Sequence, residues 1–366
     1  MILFSRYKDY TPLWSDASLA KSNSRRYVFI ILAVVAASGV LNVVLFTKLV
    51  KRWPVPLDNY QPLNIQPVVN QDYLNSLPTP KSSENAVVTS LYTDSYATAI
   101  ATLGQSLNIV NSSASRLLFY LPEKVSQRAL CIATSTGFAA HQISRIPPPN
   151  GGKGVYAHFL DQYSKLNIWR LADEGVKGAV YLDADTLVLR NFDELFSLPY
   201  NFAAVPDVYV DEPGFSLGFN AGVLFLRPSA EVFTDMLEKI GTASYNAHEA
   251  EQSFLNHYYG ADALRLPYAY NANLAIKKRV PALWADVKRE ARVVHYTLVK
   301  PFLQEADNSG KTVVEMRRIE QNVQNKLGAF GGLFDPELLE WLEIWKETRR
   351  TNADALAACG SLSAVP

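Results

Sequence analysis

The sequence predicts a mixed α/β domain with a mostly parallel central sheet, carried behind one membrane-spanning helix. Three observations predict it: an uncharged apolar run near the N-terminus, alternating strand-like and helix-like segments after it, and a carboxylate pair closing a buried strand. Composition agrees with a folded protein, since 48% of the 366 residues are hydrophobic and 19% charged. A disordered chain would carry fewer apolar residues and more net charge. The 35 basic residues balance 35 acidic ones, which argues against a coat for nucleic acid. The 20 prolines and 18 glycines follow no short period, so collagen-like and low-complexity classes are excluded. Cys131 and Cys359, the 2 cysteines, are too few for a disulfide scaffold or a cysteine-rich zinc module. Composition leaves open whether they pair.

Val28 to Thr47 reads VFIILAVVAASGVLNVVLFT, uncharged and long enough to cross a bilayer as a helix, which takes about 20 residues. A cleaved signal peptide is the alternative, with Ala36-Ala37-Ser38 imitating a cleavage site. The apolar run continues past those residues and the polar region before it is long, which favours an anchor. Lys21, Arg25 and Arg26 precede the span and Lys48, Lys51 and Arg52 follow it. Arg6 and Lys8 tip the balance toward a cytoplasmic N-terminus, hence a single-pass type II topology. Trp53 to Asn85 has no periodic pattern and contains Pro54, Pro56, Pro62, Pro67, Pro78 and Pro80, as expected of an extended stem. The expected limits are a tail at 1–27, anchor at 28–47, stem at 48–85, catalytic domain at 86–305 and helical extension at 306–366.

Within the domain, Ala86–Tyr92 reads as a strand and Tyr96–Val110 as a helix. Arg116–Leu121 follows as a strand, Val125–Ser135 as a helix, and His141–Ile146 as a third strand stopped by Pro147-Pro148-Pro149. Phe159–Ala172 predicts a helix with Phe159, Tyr163, Leu166 and Trp169 or Arg170 along one side. Ala179–Leu182 is a short apolar strand ending in Asp183-Ala184-Asp185, and Gly222–Leu226 and Arg292–His295 add further strands. Asp335-Pro336 reads as an N-cap followed by proline at the first helical position. Leu338, Trp341, Leu342 and Trp345 then form an apolar stripe, which implies packing and no function. Strands alternating with helices predict a site beyond the carboxyl ends of the strands.

Asp183 and Asp185 stand there. Two carboxylates at i and i+2 after a buried strand are costly unless a cation neutralises them. Hard oxygen ligands suit Mg²⁺ or Mn²⁺; a solvated turn with capping aspartates is the plain alternative for an isolated DxD. The surrounding stretch, YSKLNIWRLADEGVKGAVYLDADTLVLRNFDELF, closely resembles glycosyltransferase family 8, the glycogenin-like enzymes. VVTSLYTDSYATAIATLGQSL, FNAGVLFLRPS, EQSFLN and HYTLVKPF resemble further blocks of that family, in the same order, between Val87 and Phe302.

The resemblance implies a GT-A-type nucleotide-diphospho-sugar transferase fold and a retaining, metal-dependent transfer from a nucleotide sugar. It implies Asp183, Asp185 and His295 as ligands of Mn²⁺ or Mg²⁺, with Asp183 shared with the donor ribose. Lys300 would neutralise the diphosphate, Lys165 would bind the donor, and Ala184 would line it. Snorkelling off an amphipathic helix is the plain, less favoured alternative for Lys165. Ser90, Tyr92, Thr93 and Tyr96 fall where the family's opening loop binds uracil and ribose. Asp207, Asn220, Glu251 and Gln252 match sugar-contacting positions; Glu251 stands where the family usually has Asp and is either a nucleophile or a positioning group. The implied partners are a UDP-sugar, a glycan or glycoprotein acceptor and the membrane, with no nucleic acid, and the implied location is the Golgi or another secretory lumen.

Rival readings remain at this stage. Tyr270-Asn271 lies where glycogenin carries its self-glucosylated tyrosine, although a membrane anchor fits an external acceptor better. YLDADTL also fits a haloacid-dehalogenase phosphatase motif, which belongs near the start of its domain. A degenerate transferase acting as a glycan-binding module is the non-enzymatic alternative, against which the filled metal positions count.

Overall fold

A computed structural model describes residues 17–51, 81–208, 218–260, 262–303 and 316–364. The chain divides into two units, Met1–Pro54 and Val55–Pro366. The first is the helix Ala17–Lys51. Its Arg26–Thr47 segment, 22 residues of mean hydropathy 2.7, is the one helix among the described residues apolar and long enough to span a bilayer. Such a length rises about 33 Å, against a hydrocarbon core of about 30 Å. Residues 52–80 of the expected stem lie outside the described residues.

Among the described residues, the second unit is built on ten strands: β1 (Asn85–Leu91), β2 (Ser115–Tyr120), β3 (Ala139–Gln142), β4 (Gly178–Leu182), β5 (Thr186–Val188), β6 (Phe202–Pro206), β7 (Phe219–Leu226), β8 (Leu264–Arg265), β9 (Ala272–Asn273) and β10 (Val293–His295). A 7-stranded sheet runs β3-β2-β1-β4-β7-β6-β8, and a 3-stranded sheet runs β5-β10-β9. β7 lies antiparallel to both its neighbours, and every other pairing in the large sheet is parallel. The mostly parallel expectation therefore holds.

The alternation of side chains explains why β1 and β4 read as continuous apolar runs. Val87, Leu91, Val180 and Leu182 enter one core with the helices Ala97–Ile109 and Gln127–Thr134. Ala86, Val88, Ala179 and Tyr181 enter the other, with the helices Gln162–Glu174 and Ala250–Tyr259. The C-terminal helices Ile319–Lys326, Asp335–Thr351 and Ala353–Cys359 supply Ile319, Leu338, Trp341, Trp345 and Leu356 to the first core.

Several elements differ from the sequence expectation. The third strand lies at Ala139–Gln142, ahead of the expected His141–Ile146. Its partner β2 ends at Tyr120, opposite Gln142, so the ladder has no further rungs. Ile143 and Ile146 instead turn into the second core. The expected helix at Phe159–Ala172 is a separate turn at Ala157–Phe159 and a tight i→i+3 helix at Gln162–Glu174, ended by Gly175 at φ 82°. Asp335 is not the N-cap: it is the first residue of its helix, with Phe334 at the cap. Its carboxylate accepts from the Gly328 N–H at 3.0 Å, a loop contact no local pattern announces. Cys131 and Cys359, left open by composition, are joined in a disulfide.

Candidate active site

Sheet register gathers the candidate residues at one end of the domain. β1 ends at Leu91 and β4 at Leu182 on the same edge, because the two run parallel. Leu182 lies opposite Val223, and Pro206 opposite Phe219, so the start of β7 and the end of β6 reach that edge as well. From the small sheet, His295 pairs with Thr186 and Asn273. Asp183, Asp185, His295, Asn220 and Asp207 thus converge from separate elements.

Ligand-capable atoms of Asp183, Asp185 and His295 all lie within 4.8 Å of one another. His295 Nε2 is 3.2 Å from Asp185 Oδ1 and 3.9 Å from Asp183 Oδ2. The imidazole tautomer follows from its neighbours. The Gly222 N–H can only donate, and it donates to Asn220 Oδ1 at 2.9 Å. That oxygen also accepts from Asn271 Nδ2 at 2.9 Å, which turns Asn271 Oδ1 toward His295 Nδ1, 3.1 Å away. An amide oxygen only accepts, so Nδ1 carries a proton, which leaves Nε2, the nitrogen facing the carboxylates, as the one able to ligate a metal. Gly222 permits this closeness: a Cβ there would stand 2.2 Å from His295 Cε1.

Two carboxylates and an imidazole nitrogen aimed at one point are a fitting donor set for Mn²⁺ or Mg²⁺. Lys300 forms an ion pair with Asp185. Burial would raise the Asp185 carboxyl, but the Lys300 ammonium and His295 hold it well below the usual carboxylate range. Burial would likewise lower Lys300, and Asp185 with Tyr96 raises it above the ordinary lysine value. Both groups are therefore charged at neutral pH.

Lys165 does not snorkel. Its side chain is 1% exposed, and its Nζ lies 2.7 Å from Glu251 Oε1, 3.3 Å from Asp183 Oδ1 and 3.1 Å from the Ala221 carbonyl. Burial pulls its pKa down, and Asp183 and Glu251 more than offset that. The Tyr181 ring lies beneath the ammonium, 4.5 Å away. The Tyr181 hydroxyl donates to Asp183 Oδ1 at 2.9 Å and lies 2.7 Å from Ser90 Oγ. Gln252 Nε2 donates to Asp207 Oδ2 at 2.9 Å while its Oε1 accepts the Ala221 N–H at 2.9 Å. Burial raises the Asp207 carboxyl even though Val208 N–H, Asn220 and Gln252 donate to it.

Most of the expected site residues therefore belong to one network. Tyr96 joins it through Lys300 and Asp185, and meets Phe302 edge-on at 5.1 Å. Tyr92 has its hydroxyl buried near Ser90, with burial raising its pKa. Thr93 has its hydroxyl 3.3 Å from Ser95 Oγ, and Ala184 is a buried spacer between the carboxylates. Sequence reasoning missed Tyr181 and the polar role of Asn271. Tyr181 shares strand parity with Asp183, a signal that was available; Asn271 depends on contacts across the fold.

This arrangement places a candidate divalent-cation site beside the Lys300 ammonium at the strand ends of a mixed α/β sheet. The chain belongs to glycosyl transferase family 8, whose family model matches residues 32–306. By that match it is a family-8 glycosyltransferase, with the mixed α/β sheet described above, and the phosphatase reading falls with that assignment. Among its relatives, inositol phosphorylceramide glucuronosyltransferase 1 of Arabidopsis thaliana is 32% identical over 247 residues, 61% of this chain and 43% of that protein. Galactinol synthase 1 of the same plant is 29% identical over 253 residues, covering 60% of this chain and 72% of the relative. UDP-glucuronate:xylan alpha-glucuronosyltransferase 2 is 29% identical over 234 residues, covering 62% and 37%. The match spans less than half the length of both glucuronosyltransferases. Among solved structures, the glycosyltransferase GlyE of Streptococcus pneumoniae TIGR4 aligns with a TM-score of 0.46 at 20% identity, covering 72% of this chain and 63% of that one.

Proposed function

We propose that this chain is a retaining, divalent-metal-dependent transferase that moves a sugar from a UDP-sugar to a glycan or glycoconjugate acceptor in a secretory compartment. The convergence of Asp183, Asp185 and His295 beside Lys300, in a chain of this family, carries the reading. A uridine donor is supported by one relative, the UDP-glucuronate:xylan alpha-glucuronosyltransferase. What a bound Mn²⁺ or Mg²⁺ supplies there is neutralisation of the diphosphate as it departs with developing negative charge. Asn271 and Asn220 hold His295 in the ligating tautomer. Lys300 holds Asp185 ionised and offers a cation to the phosphates. Lys165, gripped by Glu251 and stacked on Tyr181, orients Asp183 toward the donor. With its carboxylate committed to Lys165, Glu251 serves as a positioning group, and Gln252 with Asp207 and Asn220 forms the polar face toward the transferred sugar.

Tyr270 supports an external acceptor. The residue is 3% exposed and its hydroxyl donates to Glu194 Oε1 at 2.8 Å, so it is not presented for self-glucosylation. The domain limits proposed are the tail at 1–27, anchor at 28–47, stem at 48–85 and transferase at 86–305, with the domain lumenal. The apolar span and the Cys131–Cys359 disulfide, a bond of oxidising compartments, support that orientation.

Titration calorimetry with uridine diphosphate tests the site. Wild type should bind tightly only with Mn²⁺ or Mg²⁺; Asp185→Ala and His295→Ala should abolish that binding and all transfer. Lys300→Ala should weaken nucleotide binding while leaving metal affinity at neutral pH mostly intact. Metal-independent or absent nucleotide binding in folded wild type overturns the reading. Protease treatment of sealed microsomes tests the orientation, and a domain degraded without detergent would refute it.

A further inference from the structure

We propose that Asn111 carries an N-linked oligosaccharide. This inference rests on the lumenal orientation put forward above and concerns a part of the surface that the transferase site does not use. Asn111-Ser112-Ser113 is an N-x-S acceptor tripeptide with no proline in its middle position.

The fold presents it at a turn. Asn111 has φ 53° and closes the helix Ala97–Ile109. Its N–H donates to the Asn108 carbonyl at 3.1 Å, and the Ser112 N–H donates to the Leu107 carbonyl at 3.2 Å, the paired bonds of a Schellman ending. Glycine would satisfy this left-handed backbone with less steric cost. Asparagine there adds an amide that is exposed and makes no side-chain hydrogen bond among the described residues. The turn also lies far from the chemistry. The helix begins beside Tyr96 at the active-site edge and runs 13 residues, about 20 Å, to the opposite end of the sheet. An oligosaccharide at Asn111 therefore leaves the donor and acceptor approach open.

One contact bears on timing. Asp193 accepts from Ser112 Oγ at 2.8 Å and from Ser113 N and Oγ at 2.8 and 2.9 Å, clamping both serines in the folded domain. Asp193 lies 80 residues after Ser113, so the tripeptide emerges first during synthesis and is available before the clamp closes. In the step itself, Asn111 Nδ2 bonds to the anomeric carbon of a lipid-diphosphate oligosaccharide. The bond from that carbon to the phosphate oxygen breaks, the lipid diphosphate leaves, and the amide gives up one proton to the base of the host's oligosaccharide transferase.

The test is expression of the tagged full-length chain in cells with a secretory pathway, followed by peptide-N-glycosidase digestion and intact mass measurement. Wild type should lose the mass of one oligosaccharide on digestion. Asn111→Gln and Ser113→Ala should lack the oligosaccharide mass before digestion, whereas Ser113→Thr and Ser112→Ala should keep the modification. Asn111→Gln should retain metal-dependent nucleotide binding. A digestion shift that persists in Asn111→Gln overturns the proposal. Protease protection in sealed microsomes separates the two readings. A protected domain with no shift overturns glycosylation alone, and a digested domain with no shift overturns the orientation with it.

Discussion

A methyl group on Gly222 would stand 2.2 Å from His295 Cε1 and 2.8 Å from Asn220 Oδ1, closer than real Cβ atoms come. The imidazole would have to leave the carboxylates. Gly222→Ala is therefore expected to lower Mn²⁺ affinity at least tenfold in a folded protein, measured by calorimetry beside circular dichroism. Asn271→Ala should act on the same ligand by freeing its tautomer, with a loss of about 10–100-fold. Unchanged affinity in Asn271→Ala would disprove the positioning role. Lys300 poses a question of pH. With its ammonium removed, only His295 is left to offset the burial that raises Asp185, so protons compete with metal at higher pH than in wild type. Between pH 7 and 5, Lys300→Ala should thus lose more Mn²⁺ affinity than wild type does, and parallel titration curves would contradict this account.

At the scale of elements, the helix Gln127–Thr134 opens on Ser126, whose hydroxyl accepts the Ala129 N–H at 3.1 Å. Its own N–H donates to Asp94 Oδ1 at 2.8 Å, in the turn that follows β1. Ser126→Ala should cost about 1 kcal/mol, read as a lower urea midpoint with an unchanged slope. The sequence made this helix, the β1 and β4 strands and the DxD turn legible, because their apolar runs and charged stops are local. β5, β8 and β9 were not legible: runs of 3, 2 and 2 residues leave no period to read. β6, in FAAVP, is short and ends in proline. The site divided along the same line. Asp183, Asp185, His295 and Lys300 are residue types that advertise their chemistry. Tyr181 meets Asp183 two residues further along the chain, a parity the sequence carried. Asn271 instead acts through hydrogen bonds to residues distant in sequence, and its role emerges only once β7 and β10 are in register with β4 and β5.

At the scale of the whole molecule, Trp341 and Trp345 are buried at 1% and 0% exposure, and Phe302 links Tyr96 at the active-site edge to Trp341, 6.0 Å away. The C-terminal helices thereby support the wall behind Lys300. The disulfide fastens them, joining Cys131 to Cys359 across a sequence separation of 228. Closing so long a loop restricts the unfolded chain, a stabilisation on the order of 4 kcal/mol. The double variant Cys131→Ser/Cys359→Ser should unfold at a clearly lower urea concentration than wild type, and reductant should lower the wild-type midpoint while leaving the variant unmoved. A wild-type midpoint indifferent to reductant would show that the cysteines are not joined in the folded protein.

The same cross-link turns most of the polypeptide into a covalent ring. A protease that cuts once anywhere between Cys131 and Cys359 opens the backbone but releases no fragment. The nicked protein would migrate as one species without reductant and as two with it. A cut between Asp185 and His295 would leave the two halves of the metal site, Asp183 with Asp185 on one side and His295 on the other, tethered to each other.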